Sequence, residues 1–516
     1  MGLDFLDTSQ ADFENALLQT KFGKFHIYIT LACGLIYMNT AMGITLLSFV
    51  LPAATCDFNM GSQHKAWMNA SPMLGMIFGS FFWGCLADTK GRKIVLVLTL
   101  LGDGLFGLAS SVTPWFIAFL VLRFFNGFNI AGAMSICFPY LGEFLPSIHR
   151  EKILCWMELF WTLGIILLPL IAWGTIPFTE INFQYNEFFF HSWNVFVMVC
   201  SLPSIILGCW LFAFPESPKF HYEIGETDKA LHILQHMYAV NTRNAPEDFP
   251  VKTLKGAEKA ESEQRLYGDR TVRQLRIRRP RELALLLKEI WTQTKNLCKK
   301  PHLRNTALTC FIQFGLTMSY YTLMLWFPEL MQRYEMYEEH HGKDVEASVC
   351  DVNNVTDTNN CDGDGVKIDS QVFLHVLYIG FACIPGSFLL PLCVHRVGVK
   401  MFLVLGLCAA AVVTIGLYFI RNSIENMLIS CFFEALTSLS ISVVYVVMVD
   451  LFPTNLRVMA AALSMMFGRI GGLIGNLIFG TLLDTNCVFS IILFALLLLV
   501  SGLMCLLIPD TSQMNH

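Results

Sequence analysis

The sequence has few charged residues, and this sets the class of protein. Asp, Glu, Lys and Arg make up 15% of its 516 residues, whereas a soluble globular protein carries about 25%. Hydrophobic residues make up 54%, and they recur in runs of about twenty, the length that crosses a bilayer. The low charge and the long runs exclude a soluble multidomain protein. They predict an all-helical membrane protein surrounded by lipid.

The sequence also lacks the motifs of an enzyme or a metal site. It shows no Ser-His-Asp, zinc-ligand or phosphate-loop pattern. Gly102–Gly107 reads GDGLFG and fits GxGxxG, but it lies inside an apolar run with no strand before it, so we interpret it as helix packing. Most of the 17 cysteines lie singly in apolar runs, where they act as small hydrophobic residues. We predict no enzymatic activity, no cofactor and no metal ion.

The N-terminal residues do not resemble a cleavable signal peptide. The first twenty residues contain four acidic residues and no basic residue before Lys21, whereas the start of a signal peptide is positively charged. We therefore expect the first apolar run to direct insertion itself.

The apolar runs predict about twelve spans in two halves of six. The predicted parts are a tail (1–24), a first half (25–218), a linker with short helices (219–302), a second half (303–508) and a tail (509–516). The second span is expected to begin near Trp67, which leaves Lys65 in a loop.

Charge separates the two sides of the membrane. The linker holds 17 of the 35 Lys and Arg residues, whereas the loop 331–371 holds ten Asp and Glu against three Lys and Arg. Because positive loops stay in the cytosol, we expect the linker and both tails there and the acidic loop on the luminal or extracellular side. The basic run 270–281 is then a cytosolic loop, and we predict no nucleic-acid binding.

The acidic loop carries two further signs of an outer location. Asn354 begins the triplet Asn-Val-Thr, which is a glycosylation acceptor. Cys350 and Cys361 lie eleven positions apart in the same loop, and we interpret them as a disulfide pair, since disulfides form in oxidising compartments.

A short polar motif, GCLADTKGRK (Gly84–Lys93), separates the second and third spans. An acid, a turn and a basic cluster between two apolar runs predict an electrostatic latch at a helix end. The motif resembles the loop between helices two and three of the major facilitator superfamily. Three further stretches resemble the sugar-porter branch of this superfamily. They end spans four, six and ten, and they are Pro139–Arg150, PESPKF (Pro215–Phe220) and DLFPTNLR (Asp450–Arg457). The predicted latch residues are Asp88, Arg92, Glu143, Arg150, Glu216, Asp450 and Arg457.

Two more stretches sharpen the resemblance. HSWNVFVMVCSLPS (His191–Ser204) and SYYTLMLWFPEL (Ser319–Leu330) look like the synaptic vesicle glycoprotein 2 family and its relatives. The resemblance implies a carrier that moves a small organic solute by alternating access, with proton coupling left open, in a vesicle or plasma membrane. We expect a monomer. Thr40 and Gly43 stand where acids are expected in helix one, so a non-transporting vesicle glycoprotein that acts through binding partners stays as the alternative.

Four charged residues and one isolated acid lie inside predicted spans, where each needs a partner or a water-filled cavity. Asp103 and Arg123 fall near the same depth, and we predict that they pair, either as a coupling switch or as a static ion pair. Glu434 and Arg469 also share a depth. Glu158 has no obvious basic partner and is a candidate for a protonatable carboxylate, or it joins the latch.

In the family that the chain resembles, helices one, four, seven and ten line the central cavity. The polar and aromatic side chains that these helices and span five would present suit a ring-containing or amphipathic solute, although aromatic residues near helix ends also anchor spans at the interface. The candidates are Asn39, Asn126, Asn129, Trp161, Gln313, Tyr320, Tyr321 and Glu434.

Overall fold

In the computed structural model, most of the apolar runs form single long helices. The structure describes residues 10–178, 183–185, 188–254, 288, 291–292, 294–295, 297–341, 348–352, 368–397, 399–452 and 456–509. Strand β1 (Gln10–Ala11) and helix α1 (Phe13–Gln19) come first. The first half then contains α2 (Lys24–Thr45), α3 (Leu47–Ala53), α4 (Ser62–Lys90), α5 (Arg92–Ser111), α6 (Phe116–Phe144), α7 (Ser147–Trp173), the hairpin of β2 (Phe183–Tyr185) and β3 (Phe188–Phe190), and α8 (Ser192–Leu211).

The linker and the second half follow the same order as the sequence pattern. The linker contributes α9 (Pro218–Glu223), α10 (Thr227–Thr242) and β4 (Thr253–Leu254). The second half contains α11 (Leu303–His341), α12 (Val349–Val352), α13 (Ser370–Val397), α14 (Val399–Gly416), α15 (Ser423–Leu451) and α16 (Arg457–Cys505).

The last helix accounts for two spans. Its 49 residues extend over about 74 Å at 1.5 Å per residue, more than twice a bilayer core of about 30 Å. Asn486 interrupts it with φ −154° and ψ 65°. In the described residues, ten helices are long and apolar enough to cross a membrane, and α13 contains a further apolar segment. With α16 counted twice, the predicted twelve-span helical fold is confirmed.

Close helix packing in the first half depends on two glycines of α4. A Cβ atom on Gly75 would lie 1.9 Å from the carbonyl oxygen of Phe124, and one on Gly79 would lie 2.1 Å from that of Phe128. Any larger residue would collide with the backbone of α6. These glycines therefore let α4 and α6 touch along their backbones, as a GxxxG pair does.

The two halves meet along three helix pairs. Helix α4 packs against α16, α7 against α13, and α3 against α11. Ile166 of α7 contacts Gly380 of α13, and the rings of Phe49 in α3 and Phe373 in α13 stack with their centroids 5.8 Å apart. Apolar side chains therefore pack between the halves at these two contacts.

The N-terminal segment packs onto the linker. Gln10 and Ala11 pair in parallel with Thr253 and Leu254. Ala16 and Leu17 of α1 are fully buried and belong to the same apolar cluster as the inner face of α10, residues Ala230, Leu234 and Met237. This end of the bundle, which carries the turn between α4 and α5, is called the latch end below.

The predicted disulfide between Cys350 and Cys361 is wrong. Cys350 of α12 is bonded to Cys487, with 5.5 Å between their Cα atoms and 137 positions between them in the chain. Cys487 follows the interruption at Asn486, so the turn between the last two spans lies beside α12. This end of the bundle is called the disulfide end. Cys56 is also disulfide-bonded, whereas Cys361 and the predicted glycosylation site Asn354 lie outside the described residues.

Candidate functional site

The latch forms within the first half. Arg92 at the start of α5 lies 2.8 Å from Glu143 Oε1 and 3.7 Å from Asp88. The Arg92 and Glu143 side chains are 13% and 9% exposed, whereas that of Asp88 is 50% exposed. Ser217 Oγ donates to Glu143 Oε2 at 2.5 Å. The pair of Arg92 and Glu143 is therefore the buried centre of the latch, and Asp88 lies at its edge.

The motif after span six completes this cluster. Glu216 Oε1 accepts hydrogen bonds from the backbone N–H groups of Lys93 and Ser217, at 2.9 and 3.0 Å. Tyr140 Oη donates to the carbonyl oxygen of Pro215 at 2.7 Å. The first turn of α5, the end of α6 and the segment after α8 are joined in this way.

Three predicted latch residues lie elsewhere or cannot be placed. Arg150 Nε donates to the carbonyl oxygens of Gly142 and Leu145, and Arg150 Nη2 lies 3.1 Å from Glu14. It thus caps the end of α6 and holds α1. Asp450 lies in the last turn of α15 and Arg457 begins α16, but their side chains lie outside the described part of the structure.

A buried polar network joins α2, α5, α6 and α8 in the first half. Asn126 Nδ2 donates to Asp103 Oδ1 at 2.6 Å, and Ser204 Oγ donates to Asp103 Oδ2 at 2.5 Å. Asn39 Nδ2 donates to Ser204 Oγ at 2.8 Å. The Asp103 carboxylate therefore receives one hydrogen bond on each oxygen.

The predicted contact between Asp103 and Arg123 is indirect. Arg123 Nη1 donates to Asn126 Oδ1 at 3.3 Å, so the amide lies between the two charges. The guanidinium carbon lies 5.2 Å from the ring centroid of Phe119, and Nε and Nη2 have no hydrogen-bond partner among the described residues. Asn126 hydrogen-bonds both side chains and so bridges the two residues that were predicted to pair directly.

Three of the predicted solute-binding asparagines have structural partners. Asn39 and Asn126 belong to the Asp103 network, and Asn129 Nδ2 donates to the carbonyl oxygen of Phe125 in its own helix at 2.7 Å. Within the described residues, none of the three lines the cavity between the halves.

That cavity lies in the middle of the bundle. It has a volume of about 30 Å³, and residues of α2, α3, α7, α11, α13 and α15 line it. Both halves contribute, with Phe49 on one side and Phe327 on the other. A water molecule needs about 10–15 Å³ of such space, so the cavity holds roughly two waters. It is too small for an organic solute in this arrangement of the halves.

Glu434 is the one acidic residue among those that line this cavity. It is 0% exposed, and both carboxyl oxygens lack a hydrogen bond of normal geometry, although the Tyr320 hydroxyl lies beside them. Arg469, predicted at the same depth, points away: its Nη1 donates to the carbonyl oxygen of Met76 in the first half at 3.2 Å.

Of the other predicted central residues, Tyr320 and Tyr321 interact with Glu434. The rings of Tyr320 and Tyr321 lie 5.1 Å apart. Glu158 hydrogen-bonds the hydroxyl of Tyr37, and the Tyr37 ring lies 5.2 Å from that of Trp161. Gln313 is buried, and its Oε1 has no partner. Among the described residues, no group of three His, Cys, Asp or Glu side chains could hold a metal ion.

A charged cluster joins the halves at the disulfide end. Lys65 Nζ of α4 lies 2.5 Å from Glu329 Oε1 of α11, and Arg333 Nε lies 2.9 Å from the same oxygen. Ser62 Oγ donates to Asp484 Oδ1 of α16 at 2.8 Å and accepts from Arg333 Nη2 at 3.3 Å. We call these five residues the clamp.

Sequence reasoning missed the clamp. Lys65 was expected in a loop, and Arg333 was counted among the residues of the acidic loop. The spacing of Glu329 and Arg333, one helical turn apart at the end of an apolar run, was the available signal. Lys65, Glu329 and Arg333 are 5%, 3% and 6% exposed, so the charged centre of the clamp is buried, whereas Asp484 is exposed at its edge.

Comparison with known proteins agrees with this architecture. Residues 33–345 match the model of the Major Facilitator Superfamily. Synaptic vesicle glycoprotein 2C of Mus musculus is 27% identical over 97% of this chain and 80% of that protein. Synaptic vesicle glycoprotein 2B of Homo sapiens is 26% identical over 97% of this chain and 86% of that protein. The resemblance read from the motifs is confirmed.

Solved structures show the same fold. The inward-open conformation of the xylose transporter XylE from E. coli aligns with a TM-score of 0.66 and 16% identity, over 95% of this chain and 97% of that chain. Its partially occluded inward-open conformation aligns with a TM-score of 0.65 and 15% identity, over 94% and 98%.

Proposed function

Because the chain belongs to the major facilitator superfamily, we propose that it carries a small organic solute across the membrane by alternating access between its two halves. The predicted transmembrane transporter is confirmed by that membership, and the non-transporting alternative is not favoured. One observation carries the mechanism: a buried ion pair between Lys65 and Glu329 joins the halves at one end, while both halves line a small cavity at the centre.

The geometry supports a rocking motion about the centre. Pockets for small organic molecules occupy about 300–1,000 Å³, against about 30 Å³ here. Entry of a solute from the disulfide end therefore requires that Lys65 and Glu329 separate and that α3 and α11 move apart. The latch, which lies within the first half, moves with that half as a rigid part.

The solute would contact the residues around the cavity. Of the predicted candidates, Glu434 lines the cavity. Tyr320, Tyr321, Gln313 and Trp161 would contact a solute only after the halves move apart, whereas the asparagines are held by other partners. The network of Asp103 and Arg123 would hold α5, α6 and α8 together. Glu158 is the candidate for proton coupling, because its described partner is a tyrosine hydroxyl and not a base.

The proposed location of the protein in the cell rests on the distribution of basic residues along the chain and on the relatives named above. The protein would act as a monomer in a vesicle or plasma membrane, with no catalytic activity. Its latch end, tails and basic linker would lie in the cytosol, because the linker carries 17 of 35 basic residues and positive loops stay on that side.

Uptake by reconstituted vesicles tests the proposal. Liposomes that contain the full chain would be given a mixture of organic cations, anions, sugars and nucleosides, and their contents would be measured by mass spectrometry. The Ser62→Cys, Asp484→Cys double variant can be cross-linked by a mild oxidant, because the native side chains touch across the halves. We expect uptake of one class by the parent and a loss of at least about tenfold in the cross-linked variant.

The two single-cysteine variants, treated with the same oxidant, are the matched controls and should keep their uptake. The proposal would be wrong if no class accumulated above protein-free liposomes, or if the cross-linked variant transported as fast as the controls.

A further inference from the structure

The central cavity is lined by one carboxyl group, that of Glu434, which faces no basic side chain among the described residues. Glu434 is 0% exposed and lines the cavity, and its two carboxyl oxygens lack hydrogen bonds of normal geometry. A carboxylate at this depth is costly in a bilayer unless a partner satisfies it. In the described residues no basic side chain interacts with it, and the Tyr320 hydroxyl is its hydrogen-bonding neighbour.

Carboxyl groups outnumber basic groups around Tyr321, next to the cavity. Tyr321 interacts electrostatically with Arg469, Glu158 and Glu434, which is one cation against two carboxyl groups. The Arg469 guanidinium is directed into the first half, where it donates to the Met76 carbonyl and to the Met134 sulfur. It is therefore held away from the Glu434 carboxylate.

The walls of the cavity exclude one class of ligand and favour another. No Lys, Arg or His is among the lining residues, so an anion would find no positive partner there. The wall presents the aromatic rings of Phe49 and Phe327, aliphatic side chains and the residues Thr45 and Ser48, with Tyr320 next to the carboxyl group. Rings attract organic cations through their π faces, and apolar walls bind the body of such a ligand.

We propose that the solute is a small organic monocation, an amine or quaternary ammonium, whose charged group binds Glu434 and whose apolar body lies between Phe49 and Phe327. This inference rests on the proposed transport function and specifies its substrate class. Glu434 would give the cation its counter-charge, whereas no lining residue could do the same for an anion.

Matched probes of equal size and different charge test this inference. Thermal unfolding of the full chain in lipid nanodiscs would be measured with phenethylamine, with the neutral 2-phenylethanol and with the anionic 3-phenylpropanoate. Choline and its uncharged isostere 3,3-dimethylbutan-1-ol form a second series. We expect both cations to raise the melting temperature and the neutral and anionic analogues to leave it unchanged.

Two variants locate the effect at the carboxylate. Glu434→Gln keeps the shape and removes the charge, and we expect the apparent affinity for the cations to fall by roughly 30-fold or more, as for loss of a buried charge pair. Glu434→Asp keeps the charge and should retain a weaker response, which also shows that the site is folded. Glu425→Gln, on the exposed first turn of the same helix, is the control and should respond like the parent.

Three results would overturn the inference. One is an equal response to the neutral or anionic analogues. Another is an unchanged cation response in Glu434→Gln. The third is binding of an uncharged solute that depends on protonation of Glu434. If the vesicles took up sugars or anions but no cation, transport would stand and only the substrate class would be wrong. If they took up no class, the proposed function itself would fail.

Discussion

Lys65 of the first half and Glu329 of the second half meet at 2.5 Å in a buried contact at the disulfide end. Arg333 reaches the same carboxylate oxygen at 2.9 Å, so one anion lies between two cations. Removal of the anion leaves two buried positive charges together, whereas removal of Lys65 still leaves Glu329 paired with Arg333. The two changes should therefore differ strongly.

We expect Glu329→Gln to destabilise the closed disulfide end by about 3–5 kcal/mol, as when one partner of a buried pair is removed, and Lys65→Met to have a smaller effect. A cysteine introduced at Ser48, which lines the cavity, would report opening through its reaction with a membrane-impermeant maleimide. The reaction should be at least about tenfold faster with Glu329→Gln. Equal rates in the two variants and the parent would show that the clamp does not keep this end closed.

The latch should depend more on Glu143 than on Asp88. Glu143 is buried against Arg92 and accepts from Ser217, so Glu143→Gln should lower the free energy of unfolding by about 1.5–3 kcal/mol, the range for hydrogen bonds to charged groups. Asp88 is half exposed at 3.7 Å from Arg92, and exposed pairs contribute about 0–1 kcal/mol. Denaturation of both variants compares them directly, and a larger loss in Asp88→Asn would contradict this order.

Asp103 and Arg123 should be energetically coupled although they do not touch. Asn126 hydrogen-bonds both side chains, and residues in one network show interaction energies of about 0.5–3 kcal/mol. A double-mutant cycle with Asp103→Asn and Arg123→Met would measure this coupling in the free energy of unfolding. Effects that add within about 0.3 kcal/mol would mean that Asn126 does not transmit it.

The disulfide between Cys350 and Cys487 has a direct chemical test. Digestion without reductant should release one peptide pair that contains both residues. Cys487→Ser should lower the free energy of unfolding by about 2–5 kcal/mol, since a native cross-link constrains the unfolded chain. Cys505→Ser, at a free and buried cysteine, is the comparison. A peptide that joins Cys350 to Cys361 would contradict the structure.

Glycosylation at Asn354 would fix the orientation of the protein. If the acidic loop is luminal or extracellular, treatment with an N-glycosidase should increase the mobility of the parent on a gel. Asn354→Gln should already migrate at that position. If the treatment did not change the mobility of the parent, the acidic loop would lack the expected glycan. That result would count against the predicted orientation.

The features that depend on a single helix could be predicted from the sequence. Apolar runs fix the spans, because each must cross the bilayer by itself, and the glycines of α4 fix a close contact through a local pattern. Depth along a helix could also be counted, which placed Asp103 near Arg123. Rotation about the helix axis could not be counted, so the role of Asn126 between them was not predicted.

Contacts between distant elements were beyond the sequence pattern. Lys65 lies in the first turn of α4, on a face that becomes buried only when α11 packs against the first half. Cys487 was not singled out in the sequence, because its approach to Cys350 depends on the turn at Asn486. In both cases the partner is chosen by packing between helices that are far apart in the chain.

The pairing of Gln10 and Ala11 with Thr253 and Leu254 bears on how the chain divides. The start of the linker is fastened to the N-terminal segment, and α10 is buried against α1 in the same cluster. As a moving body, the first half therefore ends near Leu254 and not at the end of its last span. To express the two parts as separate fragments, the chain should be divided after Leu254. A division near residue 218 would separate α10 from α1, which covers its apolar face.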